Sequence, residues 1–468
     1  MTLSTANNVE TIDDALLDLE ARYSDANGAS RGLFFSAREV LPGGNTRSVL
    51  YYDPFPLFID SASGARLVDV DGHAYIDFAN DMSAGFYGHS NAVILSAIRG
   101  ALDRGLSFGA PHRHEVALAE AICSRFTAIE RLRFCNSGTE ANLLAMATAR
   151  AVTGRPMVLA FRGAYHGSMA SYANVDAPLN VNKQQMCYAR FNDEEDVKHI
   201  LRKEGAQIAA IIVEPMLGTG GSIMADRGFL ASLRAMADEV GALLIFDEVV
   251  TARFRPGGLQ DLFEVYPDIT TLGKSIGGGL AFGAFGGRAE VIDRLDPSRP
   301  NGILHGGTFN NTVLTMVAGH AGLSEVATAE AIEAVNALGD RLRESLGAAA
   351  RQCGSALSIG GYGSMLSLNF QPTMPRNPAE ATTTPAQRKL FHLDMLMRGF
   401  YLPRRGTINL SLATGDADCA AFVKAFTGVL ERYASFFPRQ ADAREGDGYA
   451  SSTEPLKMRA GRSELPSD

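Results

Sequence analysis

The sequence predicts an α/β protein with a mostly parallel central sheet, and two observations predict it. Beyond Ser90, helical stretches alternate with short apolar runs. Strands that return through helices run parallel and are covered on both faces, so they read as continuous apolar segments. The helical stretches are Asn91–Arg104, Glu115–Phe126, Thr139–Val152 and Phe229–Val240; the apolar runs are Val158–Phe161, Ile208–Val213, Leu243–Phe246 and Phe282–Phe285.

The flanking regions differ. From Thr11 to Leu41, Ile12, Leu16, Leu19 and Tyr23 share one helical face, and Pro42-Gly43-Gly44-Asn45 ends the pattern. From Leu57 to Phe78 come short alternating runs split by Ser63-Gly64 and by Asp71-Gly72, a hairpin signal. Past Thr312, Val313–Val326 and Thr328–Ala350 read as helices, Met365–Phe370 and Ile408–Leu412 as strands, and Cys419–Tyr433 as a helix. Residues 438–468 have few large apolar side chains and read as a disordered or loosely docked tail.

The 468 residues are enough for two or three domains of about 150 residues each. With 46% hydrophobic and 20% charged residues the chain can bury a large core. A net charge of −9 argues against wrapping a polyanion, so no nucleic-acid partner is expected. Five scattered cysteines form no C-x-x-C pair, and neither a disulfide framework nor a metal site is expected. Met1–Glu20 is polar and acidic, unlike a secretory signal, and no run of about 18 apolar residues occurs. A soluble cytoplasmic protein without a membrane partner is the expectation.

Several motifs fail. Gly273-Lys274-Ser275 resembles the end of a Walker A loop, but Asp268 stands where its first glycine belongs. Gly273–Gly277 fits G-x-S-x-G, yet glycines and another apolar run follow instead of a helix. A serine hydrolase using Ser275 therefore stays a remote alternative. Neither G-x-G-x-x-G nor H-E-x-x-H occurs, and His112 with His114 lacks a third ligand.

Four other features fit together. Asn136-Ser137-Gly138-Thr139-Glu140 precedes a helix, where free N–H groups and hydroxyls make an anion site; its ordinary explanation is an N-cap. Asp247 closes the apolar strand Leu243–Phe246, and ligands sit at the carboxyl ends of parallel strands; the alternative is a helix cap. Lys274 lies in a glycine-rich loop, where burial lowers an amine's pKa enough for Schiff-base chemistry, although most lysines are solvated. Tyr165, in Gly163-Ala164-Tyr165-His166-Gly167, is placed to lie flat on a heteroaromatic ring, or else is simply a buried tyrosine. Together they match one chemistry: an aldehyde cofactor held as a lysine imine, its phosphate at a helix N-terminus and a carboxylate at its ring nitrogen.

With these residues in place, the chain resembles the class III (subgroup II) aminotransferases of fold type I, which use pyridoxal 5′-phosphate, from about Phe35 to about Tyr433. Within them it is similar to β-amino acid (β-phenylalanine) aminotransferases and to glutamate-1-semialdehyde aminomutases. The resemblance implies a large cofactor domain over 76–325 and a smaller α+β domain built from 1–75 and 326–437. It makes Lys274 the Schiff-base lysine and proton shuttle, and Asp247 the partner of the pyridine nitrogen. Ser137, Gly138 and Thr139 then hold the phosphate, and Tyr165 stacks on the ring beside His166. Glu214 supports the site and Val249 packs behind the ring. Thr308 is implied to reach the phosphate of a neighbouring subunit, which makes the active unit a homodimer.

For the substrate, the resemblance gives Arg47, in Pro42-Gly43-Gly44-Asn45-Thr46-Arg47-Ser48, a carboxylate to bind. A guanidinium fork suits that task. In Tyr401-Leu402-Pro403-Arg404-Arg405-Gly406, Arg405 aligns best with the arginine that grips the keto acid, with Arg404 beside it. Ser83, Phe86 and Tyr87, in Met82–Gly88, resemble a pocket wall, and the bulk of Phe86 argues against a large β-aryl group. The implied reaction is ping-pong transamination from a β-amino acid or amine to pyruvate or 2-oxoglutarate. Intramolecular amino transfer of the aminomutase type and amine transamination remain alternatives. A non-enzymatic scaffold on this fold is expected to lack Lys274 or Asp247, and both are present.

Overall fold

Seven strands form the central sheet of the computed structural model, which describes residues 11–170 and 185–440. Their spatial order is Arg131–Cys135, Gly283–Gly287, Ile269–Gly273, Leu243–Asp247, Ile208–Val213, Met157–Phe161 and Met186–Ala189. From Ile269–Gly273 to Met186–Ala189 every pairing is parallel. Ile208–Val213 and Leu243–Asp247 are buried along their whole length, as strands covered on both faces must be.

The exception is Gly283–Gly287, antiparallel to both neighbours. Its glycines answer to crowding. A Cβ at Gly283 would lie 2.2 Å from the Ser137 carbonyl oxygen, and one at Gly287 2.0 Å from that of Asp268. The apolar run Phe282–Phe285 thus enters the sheet one residue later than its hydrophobicity suggests.

A second sheet joins distant segments. Ile59–Ser63, Arg66–Asp69 and Ala74–Asp77 form an antiparallel meander, and Phe400–Tyr401 adds in parallel to its last strand. The Asp71-Gly72 turn does more than reverse the chain. Asp71 accepts the backbone N–H groups of Ala29 and Ser30 at 2.6 and 2.9 Å and so caps the helix Gly28–Arg38. A third, antiparallel sheet comprises Ser358–Tyr362, Met365–Asn369 and Thr407–Asn409. One apolar cluster unites Leu16, Leu19, Tyr23 and Phe78 with Leu342, Phe391, Phe422 and Phe426.

The helical pattern Thr11–Leu41 is two helices, Ile12–Ala26 and Gly28–Arg38. They divide at Asn27, whose side-chain amide donates to the Tyr23 carbonyl instead of continuing the ladder. Val313–Val326 is α-helical only to Ala321 and then widens to a π turn, with Gly322 pressed against the Tyr87 ring. The helix Pro385–Met397, opened by a Thr384/Gln387 capping box, went unrecognised in the sequence. Of the expected tail, 438–440 is described: Pro438 and Gln440 bond the backbone of Ala356 and Gly354. The rest lies outside the described residues. No helix among them is long and apolar enough to cross a membrane.

Candidate active site

The carboxyl ends of the parallel strands open into a cavity of about 800 Å³. Asp247 reaches it from the end of its strand, almost fully buried. Its Oδ2 accepts the Asn142 amide at 2.7 Å and lies 2.7 Å from His166 Nδ1, while Oδ1 accepts the Val249 N–H at 3.0 Å. Thr271 in turn donates to the Asn142 side-chain carbonyl at 2.6 Å. The carboxylate is therefore aimed by a chain of hydrogen bonds anchored in the neighbouring strand.

Ser137 caps the helix Gly138–Thr153, its hydroxyl accepting the Glu140 N–H at 3.1 Å. The first turn of that helix enters the cavity through Ser137, Gly138 and Thr139. Glycine is required there. A Cβ on Gly138 would lie 2.8 Å from Val249 Cγ1, and one on Gly167, at φ +108°, 2.4 Å from Thr139 Oγ1.

Lys274 follows the strand Ile269–Gly273 and lines the same cavity at φ 48°. The left-handed region is costly for a side-chain-bearing residue, about 1–2 kcal/mol, and marks functional positions. Burial lowers the amine's pKa from its usual range, opposed by Asp247 and Glu214 and assisted by Arg405 and Arg47. Glu214 accepts the N–H groups of Tyr165 and Gly218, each at 3.0 Å, and so fixes the loop that carries Tyr165. Burial raises its carboxyl pKa; the nearby His166 pulls the other way.

Across the cavity lie Arg47, Met82, Ser83 and Arg405, all from segments outside the large sheet. Burial holds the Arg405 pKa below the usual guanidinium range. The one hydrogen bond of its guanidinium among the described residues is a 3.7 Å contact to Met82 Sδ, while its backbone carbonyl accepts from Arg388. Arg404 instead pairs with Asp53 at 3.9 Å on the surface, so the two neighbouring arginines have different surroundings.

A family model for "Aminotransferase class-III" matches residues 50–403. The chain is a class-III aminotransferase. It is 42% identical to an uncharacterized aminotransferase of Schizosaccharomyces pombe, over 89% of this chain and 96% of the relative. It is 41% identical to the β-phenylalanine transaminase of Variovorax paradoxus, over 92% of this chain and 98% of that one. The crystal structure of the latter protein superposes with a TM-score of 0.89. A glutamate-1-semialdehyde 2,1-aminomutase of Nitratidesulfovibrio vulgaris is 38% identical over 85% of this chain and 97% of its own.

The cofactor of this aminotransferase is pyridoxal 5′-phosphate, as in its solved relatives. The donor set fits that group. A buried carboxylate, a buried amine and a capped helix N-terminus open into one cavity, which Tyr165 and Val249 also line. Gly138 and Gly167 leave room at the helix start that any side chain would fill.

The structure brings Ser137, Gly138, Thr139, Tyr165, Glu214, Asp247, Val249, Lys274, Arg47, Ser83 and Arg405 to the cavity. His166 lies behind Asp247, fully buried and outside the lining. Phe86 and Tyr87 are also buried away from it. Phe86 lies under the Arg253 guanidinium at 4.7 Å and Tyr87 against Gly322. Val49, Met82 and Met365 line the cavity on that side, and neither Phe86 nor Tyr87 does. Thr308 is exposed on a surface turn, outside the lining. Ser275 is buried and likewise does not line the cavity. Asn142 is the residue the sequence reading missed. The signal was there: an amide among Ala141, Leu143, Leu144 and Ala145, in a helix that covers the sheet.

Proposed function

We propose that this aminotransferase moves the amino group of a β-amino acid to a keto acid, pyruvate or 2-oxoglutarate, in two successive half-reactions. The observation that supports it is the presence of two arginines, Arg47 and Arg405, in the cavity that holds Lys274. Each guanidinium suits a carboxylate, and donor and acceptor both carry one.

Bound in the cavity, pyridoxal phosphate supplies an aldehyde carbon and an electron-accepting ring. Ser137, Gly138 and Thr139 hold its phosphate, with the helix N-terminus adding favourable polarity. Asp247 holds a proton at the ring nitrogen, and Asn142 and His166 keep Asp247 in that orientation. Tyr165 and Val249 would pack against the ring, while Glu214 fixes the Tyr165 loop. Lys274, its amine kept more in the free-base form at neutral pH by its lowered pKa, would remove the proton from the amine-bearing carbon of the donor and return it. Arg47 orients the donor carboxylate and Arg405 that of the keto acid.

The active unit is proposed to be a homodimer. Leu106, Phe108, Leu304 and Phe309 are exposed around the turn that carries Thr308, an apolar face for a second copy to cover. Thr308 would then reach the partner's phosphate site.

The V. paradoxus relative supports a β-amino acid donor; the aminomutase relative supports intramolecular transfer as the second reading. An omega-transaminase structure from Sphaerobacter thermophilus, 34% identical with a TM-score of 0.82, covering 86% of this chain and 97% of its own, keeps simple amines as donors in view. One experiment tests all three. The purified protein is given a panel of β-amino acids, amines and glutamate-1-semialdehyde, with and without keto acid, while its visible band is followed. Conversion by β-amino acids that is reversed by pyruvate or 2-oxoglutarate is expected. Turnover that needs no keto acid overturns the reading. Borohydride reduction followed by peptide mapping should place a pyridoxyl group on Lys274.

A further inference from the structure

Four consecutive residues, none of them glycine and the last two lining the cavity, have left-handed backbone: Asn80 at φ 43°, Asp81 at 44°, Met82 at 52° and Ser83 at 76°. Left-handed residues ordinarily occur singly, so a run of four must be over-determined by its surroundings. Both ends of this turn are anchored in the interior. Asn80 is fully buried; its N–H and that of Ala79 are accepted by Asp77 Oδ1, and its side-chain amide donates to the carbonyls of Asp77 and Asn409. At the other end the Ser83 carbonyl accepts from Arg253, a fully buried arginine whose second hydrogen bond goes to the Leu410 carbonyl. Between the anchors, the turn presents Asp81 and Met82 to the two cavity arginines.

The two arginines are treated differently. Met82 gives Arg405 only a thioether contact, and no carboxylate lies within ion-pair distance of Arg405 among the described residues. Asp81, one residue earlier, holds Arg47 Nη1 at 2.6 Å. An arriving carboxylate thus meets an unpaired guanidinium at Arg405 and an occupied one at Arg47.

We propose that Asp81 is an internal competitor for the substrate carboxylate: held by the left-handed turn, it occupies Arg47 until a carboxylate displaces it. This inference rests on the reading of Arg47 as a carboxylate-binding residue. Asp81 is then a specificity-determining residue. It weakens every carboxylated substrate that uses Arg47 and leaves uncharged amines alone. Because the turn is pinned at both ends, Asp81 cannot follow Arg47 into the cavity, so the exchange is between two fixed alternatives.

The test compares Asp81→Asn, Asp81→Glu and Arg47→Gln holoenzymes on paired donors, 3-amino-3-phenylpropanoate and 1-phenylethylamine, which differ in the carboxylate arm. For Asp81→Asn the KM of the carboxylated donor should fall about three- to fivefold, the range of one half-exposed ion pair, with kcat and the amine's kinetics unchanged. Asp81→Glu should restore the original KM. The Kd of 3-phenylpropanoate, which carries the carboxylate and cannot react, should fall by the same factor when measured by calorimetry. An unchanged or raised KM for the carboxylated donor overturns the proposal, as does an equal change for both donors, which would make Asp81 merely structural. Arg47→Gln separates the two levels. If it raises the KM of the carboxylated donor while Asp81→Asn does nothing, only the competitor role fails. If Arg47→Gln leaves that KM unchanged, the underlying reading of Arg47 fails as well.

Discussion

The two walls of the cavity are built in opposite ways. On the cofactor side, Asp247 and Lys274 sit at the ends of buried parallel strands, and Ser137–Thr139 at the start of the helix packed on that sheet. Each is placed by the register of strands that no neighbouring loop can move. On the opposite side, proposed to receive the substrate, Arg47, Ser83 and Arg405 hang from loops outside the large sheet, near where Phe400–Tyr401 pairs with Ala74–Asp77. Sheet register fixes chemistry that does not change between substrates. Loops fix recognition, where small shifts change which molecule is accepted.

That contrast is open to direct attack. The largest effect is expected from Lys274→Ala, which removes the only amine on the cofactor wall among the described residues. Transamination should fall by about 10³-fold or more, read as the rate of the donor half-reaction, with the fold retained by circular dichroism. A fall of less than tenfold would move the proton transfer to another group.

Arg405→Gln should leave the cofactor wall untouched and raise the KM for the keto acid by about 10- to 100-fold, the worth of a charge-assisted pair. Equal loss of cofactor affinity, measured by the released chromophore, would show that the two walls are not independent.

Gly138→Ala sharpens the comparison from the other side. The new methyl meets Val249, so cofactor affinity should drop about tenfold by titration of the apoprotein, as expected of mild overpacking, and Val249→Ala in the same chain should recover most of it. The KM ratio between carboxylated and uncarboxylated donors should not move.

The smallest effect concerns the part of the molecule that carries the substrate loops. His392 is buried against Tyr52, with ring centroids 4.6 Å apart, and burial pushes its imidazole down to about 3. Between about pH 6.5 and 3 the unfolded chain binds a proton that the folded state refuses, so this residue costs stability as the pH falls through that window. Buried Glu248, pushed up to about 7, acts in the opposite sense: its contribution is lost as the pH rises through that value. The difference between variants therefore isolates His392. The Tm drop from pH 7 to pH 5 should be about 2–4 °C smaller in His392→Phe than in the parent chain. An identical drop would show that the imidazole titrates normally in the fold.

Much of the cofactor wall was legible because buried parallel strands announce themselves. An apolar run closed by Asp247, a glycine-flanked Lys274 and a small-residue helix start are local patterns, and each is tied by chain geometry to one end of the sheet. The misplacements cluster where the local pattern is silent. Met82–Gly88 reads as a continuous pocket wall, yet the left-handed turn sends Met82 and Ser83 to the cavity and Phe86 and Tyr87 into the core. Residues three to five apart took opposite fates because of backbone torsions that no side-chain pattern encodes. His166 was likewise placed one layer too close: it orders Asp247 without lining the cavity.

What the sequence determined by itself was the α/β architecture and which side chains stand at the strand and helix ends that open into one cavity, because helix and strand periodicity and strand-end chemistry are local properties. What only the tertiary structure decided was which arginine faces the cavity and which faces Asp53, which polar residue orients Asp247, and that Asp81 holds Arg47. Those outcomes depend on contacts between segments hundreds of residues apart in some cases and on torsions within one short turn in another. Neither leaves a periodic trace in the chain.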